Sequence, residues 1–199
     1  MEPRKATIFL VDDDPAILKA LAWLFRSAGY TVAAFNAPHR FLEAAPGAGP
    51  ACAVLDLQMP GMSGLELQAE LRRTGCAMPL VFVTGHGDVR SSVHAMKDGA
   101  VDFLLKPVDD EELLAAVERA LERGAREREE REEHAALEAR FEALTPRERE
   151  VCELMAQGLL NKQIAAGLHL SEPTVKQYRA HVLEKLGVES AAEAACMLT

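Results

Sequence analysis

The chain has 199 residues, a formal net charge of -9, 49% hydrophobic and 27% charged residues. That length suits one large domain or two small ones, and the acidic balance excludes diffuse binding to nucleic acid, so any such contact needs a local basic face. No apolar run approaches the ~20 residues of a membrane-spanning helix, no signal-peptide core follows the polar start Met1–Lys5, and four scattered cysteines without a CxxC pair fit reduced thiols in a cytoplasmic protein.

Short β-rich apolar runs alternate with helical patterns along the first 120 or so residues. Strands are predicted at Thr7–Val11, Tyr30–Phe35, Ala51–Leu55, Leu80–Thr84 and Val101–Leu105. Each run is nearly continuous, which predicts burial on both faces of a parallel sheet. Asp14 caps a helix that has Pro15 at its first position and stops at Gly29. Further helices are predicted over Ser63–Arg73, ending near Gly75, over Asp88–Asp98, ending at Gly99, and from Asp109 onward with Leu113, Leu114, Val117 and Leu121. Gly61 and Gly64 read as turn residues. The alternation βαβαβαβαβα predicts a three-layer, doubly wound α/β domain over residues 1–123.

Residues 124–143 change character. Arg126–Glu133 reads R-E-R-E-E-R-E-E, with opposite charges at Arg126/Glu130 and Glu127/Arg131 and no apolar stripe, which predicts a solvated helical linker with Gly124 as its weak point. Residues 144–199 carry no strand signal and four short helices. Thr145-Pro146-Arg147-Glu148 is a capping box, Gly158, Gly167 and Gly187 punctuate turns, and Ser171 caps the third helix, a helix-turn-helix pattern.

Ligands of doubly wound sheets bind at the carboxyl ends of the strands. Asp12, Asp13 and Asp14 follow the first strand, Asp56 the third, Thr84 closes the fourth and Lys106 follows the fifth. Asp14 is a helix cap. The remaining carboxylates repel one another unless a cation sits among them, and hard oxygen donors suit Mg²⁺. Mg²⁺ and Lys106 together would neutralise a phosphoryl group arriving on a carboxylate.

Val11-Asp12-Asp13, Leu55–Gly61 (LDLQMPG), Val83-Thr84-Gly85-His86 and Phe103-Leu104-Leu105-Lys106-Pro107 resemble the receiver domain of two-component response regulators, and the loop Thr84–Val89 is similar to that of the NarL/FixJ subfamily. The resemblance implies a flavodoxin-like parallel sheet of order 2-1-3-4-5, with Asp56 as phosphoacceptor. It implies Asp12 and Asp13 as the acid pair, Asp13, Asp56 and the Gln58 carbonyl about the metal, Thr84 and Lys106 on phosphoryl oxygens, Phe103 as the switch aromatic and a cis Lys106–Pro107 bond.

Thr145–Val151, Asn161–Ala165 and Thr174–Lys176 with Leu186-Gly187-Val188 look like the LuxR-type helix-turn-helix, which implies that Pro173–Leu186 enters the major groove. Val175, Tyr178, Val182 and Leu186 share one helical face, whereas Lys176, Gln177 and Ala180 share another. Lys176 and Gln177 are the candidates for base edges, and Lys162, Thr174 and Arg179 for phosphates. Tyr178 and Ala191 stand where that family often has histidine and arginine, and residues 140–199 hold seven Lys/Arg against eight Asp/Glu. The expected function is that of a phosphorylation-controlled transcription regulator rather than an enzyme. Its implied partners are a sensor histidine kinase, double-stranded promoter DNA and a second copy on phosphorylation, with no membrane. Two alternatives are a DNA-binding regulator independent of phosphorylation and a Mg²⁺-dependent aspartyl-phosphate phosphohydrolase; the latter needs an acid two residues after Asp56, where Gln58 stands.

Overall fold

The computed structural model describes residues 6–44, 49–85 and 89–196. The start Met1–Lys5, the loop residues His86 and Asp88, and Met197–Thr199 lie outside the described residues. The chain divides into two compact units, Met1–Arg128 and Glu129–Thr199.

In the first unit, β1 (Thr7–Val11), β2 (Thr31–Phe35), β3 (Ala51–Leu55), β4 (Leu80–Thr84) and β5 (Asp102–Leu105) form a parallel sheet of order β2-β1-β3-β4-β5. Helices α1 (Pro15–Ser27), α2 (Pro38–Glu43), α3 (Gly64–Arg73), α4 (Val89–Lys97) and α5 (Asp110–Glu142) follow the strands in turn, the last extending beyond Arg128, where this unit ends. The apolar runs partition into two cores. Ile8, Leu10, Val54 and Val81 pack with Leu18 and Phe25 of α1 and Leu113 and Val117 of α5. Val11, Leu55 and Phe82 pack with Phe41 of α2, Leu67 and Leu71 of α3 and Ala95 of α4. Burial on both faces holds for β3 and β4, but β2 is partly exposed along its length, with Thr31 and Ala34 outside, and β5 is only half-buried. Both lie at the ends of the strand order, where half of the covering neighbours are missing.

Local chemistry accounts for the helix starts. Asp14 accepts from the Ala16 N–H at 2.7 Å with Pro15 at the first position, and Ser63 and Glu66 form a reciprocal capping box on α3. On the far side of α3, buried Gln68 donates its amide to the Ala95 and Asp98 carbonyls at the end of α4, both at 3.1 Å. That end is further tied by an ion pair of Arg72 with Asp98 at 2.7 Å. Two expectations need correction. Gly124 is not a weak point: it is buried, and a Cβ there would lie 2.5 Å from Cγ of Pro79. Arg126 and Glu130 form no ion pair among the described residues; the helix carries an Arg123–Glu127 ion pair at 2.6 Å, and His134 Nδ1 lies 3.5 Å from Glu138 Oε1. On α1, Trp23 is 72% exposed.

The second unit holds α6 (Pro146–Ala156), α7 (Asn161–Leu168), α8 (Glu172–Leu186) and α9 (Ala191–Cys196) around Val151, Met155, Ile164, Val175, Val182 and Leu186. Glu148 is 5% exposed, and its Oε2 accepts from the Thr145 N–H at 2.8 Å and from Lys185 Nζ at 2.6 Å. Those two donors hold its carboxyl down at about 2, the Lys185 ammonium first. The turn between α7 and α8 differs from expectation. Gly167 lies inside α7, and the left-handed position that ends this helix is taken by His169, at φ 55°.

Candidate functional site

Strand register assembles the site. Val11 pairs with Leu55 across β1 and β3, so the next residues, Asp12 and Asp56, emerge side by side, and the Asp56 N–H donates to the Val11 carbonyl at 2.8 Å. Thr84 pairs with Leu105 across β4 and β5, and the Lys106 N–H donates to the Thr84 carbonyl at 2.9 Å. Lys106 is thereby aimed back over the sheet edge. Its Nζ lies 2.6 Å from Asp12 Oδ2 and 2.9 Å from Asp56 Oδ1, and the Lys106–Pro107 bond is cis.

Asp12 and Asp56 are buried and Thr84 is 1% exposed, so the charges face each other away from bulk water. Burial pushes the Asp12 carboxyl above its usual range, more than the Lys106 hydrogen bond lowers it. Burial also works against the Lys106 charge, but the hydrogen bonds it donates to Asp12 and then Asp56 outweigh it and raise the ammonium above its usual value. Both groups are thus raised, Asp12 by its burial and Lys106 by its two acidic partners. Lys106 is thereby held as an ammonium between two carboxyl groups. Backbone donors fix both acids: the Asp14 N–H binds Asp12 Oδ1 at 2.8 Å and the Gln58 N–H binds Asp56 Oδ2 at 2.6 Å.

The remaining site candidates are less tightly held. The Asp13 side chain is exposed and without a hydrogen bond or ion pair among the described residues; Gln58 is exposed too, its peptide N–H anchored on Asp56. Among the described residues no three acidic, His or Cys side chains form a ready-made metal cage. Mg²⁺ needs no such cage, since it is held through one or two carboxylates and waters. The carboxyl oxygens of Asp12 and Asp56, with those of exposed Asp13, are hard donors of the kind that ion takes. Phe103 is half-buried with its ring centroid 6.0 Å from that of Phe82. Gly64 is not a turn residue but the first residue of α3, donating its N–H to the Leu57 carbonyl at 2.9 Å; the sequence holds no signal for that packing. Gly61, at φ +85°, is the residue the turn requires.

In the second unit Val175, Val182 and Leu186 of α8 are buried and Tyr178 half-buried, while Lys176, Gln177 and Ala180 are exposed on the other face, as the helical spacing predicts. Lys162 is exposed and Arg179 half-buried; both line a cavity of about 460 Å³ with Glu172 and Ala191. Thr174 is half-buried, its hydroxyl 2.7 Å from that of Ser171.

Residues 8–118 match the response regulator receiver domain, and residues 142–198 match the bacterial regulatory proteins of the luxR family. The chain belongs to the response regulators. This regulator is 48% identical to Nodulation protein W of Bradyrhizobium diazoefficiens over 95% of its own length and 83% of that protein. It is 41% identical to the transcriptional regulatory protein FixJ of Azorhizobium caulinodans, over 96% and 90% of the two chains. Among solved structures it is similar to the response regulator StyR, with a TM-score of 0.88 at 44% identity over 98% of each chain. It is also similar to full-length FixJ from B. japonicum, with a TM-score of 0.61 at 38% identity, covering 98% of this chain and 96% of that one. The regulator is thus of the NarL/FixJ type, a receiver followed by a LuxR-type DNA-binding domain.

Proposed function

We propose that this regulator takes a phosphoryl group from a sensor histidine kinase onto Asp56, and that the modification makes two copies pair and bind double-stranded promoter DNA. One observation carries the reading: Lys106 Nζ bridges Asp12 at 2.6 Å and Asp56 at 2.9 Å at the carboxyl edge of a parallel sheet. A carboxylate oxygen of Asp56 attacks the phosphorus of a phosphohistidine. The new O–P bond forms as the P–N bond breaks, the electron pair leaves on the imidazole nitrogen, and an acyl phosphate remains on the chain. Lys106, preset where negative charge develops, then faces phosphoryl oxygens, and the Thr84 hydroxyl donates to one of them once it has turned toward the anion. Asp12, Asp13, Asp56 and the Gln58 carbonyl would hold Mg²⁺, which when bound supplies positive charge against the acids and the arriving phosphoryl oxygens. Phe103, its ring tilted against that of Phe82, repacks as Thr84 turns toward the anion, and the face of α4, β5 and α5 becomes the pairing surface.

The working parts are a receiver over residues 1–123, a helical linker over 124–143 and a DNA-binding domain over 144–199. In the last, Lys176 and Gln177 read base edges while Lys162, Thr174 and Arg179 hold phosphates. The protein carries the phosphoryl group stoichiometrically rather than turning over a substrate: the exposed Gln58 amide, two residues past Asp56, offers no general acid or base. It acts in the cytoplasm, where kinase and promoter meet; among the described residues no helix is long and apolar enough to cross a membrane.

The test is incubation with an acyl-phosphate donor and Mg²⁺. The wild type gains about 80 Da, the mass of one phosphoryl group, elutes earlier from gel filtration and shifts promoter DNA, whereas Asp56→Asn does none of these. A donor-treated wild type with unchanged mass, or equal dimerisation and DNA affinity in Asp56→Asn, refutes the proposal.

A further inference from the structure

Two glycines of the β3–α3 region are required for opposite reasons. Gly61 has open space around it and is needed for its φ of +85°. Gly64 has no positive φ, so an L-residue could adopt its backbone; the obstacle there is space alone. A Cβ on Gly64 would lie 2.3 Å from the Asp56 carbonyl oxygen, 3.2 Å from the Asp56 carbonyl carbon and 2.9 Å from Cε1 of Phe82. The nearest of these atoms is backbone and cannot rotate away.

We infer that Gly64 is a positioning residue for phosphoryl acceptance: its missing side chain lets the first turn of α3 close directly on the peptide that carries Asp56. This rests on the reading of Asp56 as the acceptor. The turn is pinned where it stands, by the Gly64 N–H on the Leu57 carbonyl at 2.9 Å and by the Ser63–Glu66 capping box. Between the acceptor and this turn lies one short loop, and its Gln58 N–H holds Asp56 Oδ2 at 2.6 Å. The same closure presses on Phe82, whose ring neighbours Phe103 at 6.0 Å. A methyl at 64 therefore drives α3 off the Asp56 peptide, drags the loop with it and loosens the Gln58 grip on the carboxylate. A shift of roughly 1 Å in a reacting group costs on the order of 10- to 100-fold in rate.

The experiment compares full-length wild type, Gly64→Ala and Leu71→Ala, the last a core truncation further along α3 that destabilises the domain without touching the Asp56 peptide. Acetyl phosphate uptake is followed by intact mass, and the Gln58 amide proton by NMR without donor. The expected result is uptake at least about tenfold slower in Gly64→Ala, with an upfield move of the Gln58 amide. Leu71→Ala should match the wild type in both. Wild-type uptake and an unmoved Gln58 amide in Gly64→Ala overturn the inference, as does an equal effect in Leu71→Ala. If Gly64→Ala does not fold, Ser63→Ala decides: it unpins the same turn, so slower uptake with the same direction of Gln58 shift supports the inference and wild-type behaviour overturns it. A wild type that never gains phosphoryl mass defeats the acceptor reading instead, and the Gln58 amide alone then decides whether Gly64 seats this peptide.

Discussion

Replacing Glu148 by glutamine keeps the side chain's shape and removes its charge at the junction of α6 and α8. In the native protein this buried carboxylate caps α6 through the Thr145 N–H and meets Lys185 Nζ at 2.6 Å. Its pKa falls from the usual 4.5 to about 2, which corresponds to about 3 kcal/mol of stabilisation. Lys185 keeps 37% of its side chain exposed, and solvent screening there trims the figure toward about 2 kcal/mol. The group is depressed by folding, so its contribution is complete above the unfolded pKa of 4.5 and is lost as pH falls from there through about 2. Hydrogen exchange of the full chain at neutral pH is the assay. Amides of α6 and α8 should exchange roughly 30-fold faster in Glu148→Gln, the equivalent of about 2 kcal/mol, while those of α1 and the sheet keep their rates. Unchanged protection in α6 and α8, or an equal loss in both units, would refute the assignment of this ion pair as the clamp of the second unit.

Gly124→Ala separates packing from helix propensity. In an exposed helix the change stabilises by about 1 kcal/mol, but here the new methyl meets the Pro79 ring, and the urea midpoint of the first unit should fall by the equivalent of about 1–2 kcal/mol; a rise would show that α5 gives way freely. Gln68→Met removes the amide that bridges α3 to the Ala95 and Asp98 carbonyls. It should cost about 2 kcal/mol in urea unfolding and speed amide exchange at the end of α4 before that of α3; a neutral result would mean that water or a shifted α4 end satisfies those carbonyls.

What the sequence made legible follows one rule: features set by chain-local order could be read, and features set by distant partners could not. Asp12, Asp56, Thr84 and Lys106 each end or follow a strand, and parallel register alone then brings them to a common edge. Ser63, Thr145 and Ser171 cap helices within three residues of themselves. The Glu148–Lys185 pair joins residues 37 apart, and nothing near Glu148 marks it as more than half of a capping box. Gly64 and Gly124 look like a turn residue and a weak point of a helix in the string, because the atoms that forbid them a side chain belong to Asp56 and to Pro79. His169 hides for a related reason: glycine two residues earlier is the expected left-handed residue, yet α7 continues through it. The even burial expected of all five strands fails at β2 and β5 because strand order, not composition, decides which strands lie at the rim.

The chain has a single tryptophan, and on α1 its ring is largely in water. Its emission in the folded protein should already be red-shifted and open to iodide quenching, and melting of the second unit, which holds no tryptophan, will pass almost unseen by tryptophan fluorescence. The same exposure makes Trp23 a label-free optical probe: any molecule that settles on the outer face of α1 will dehydrate the indole and report itself as a blue shift.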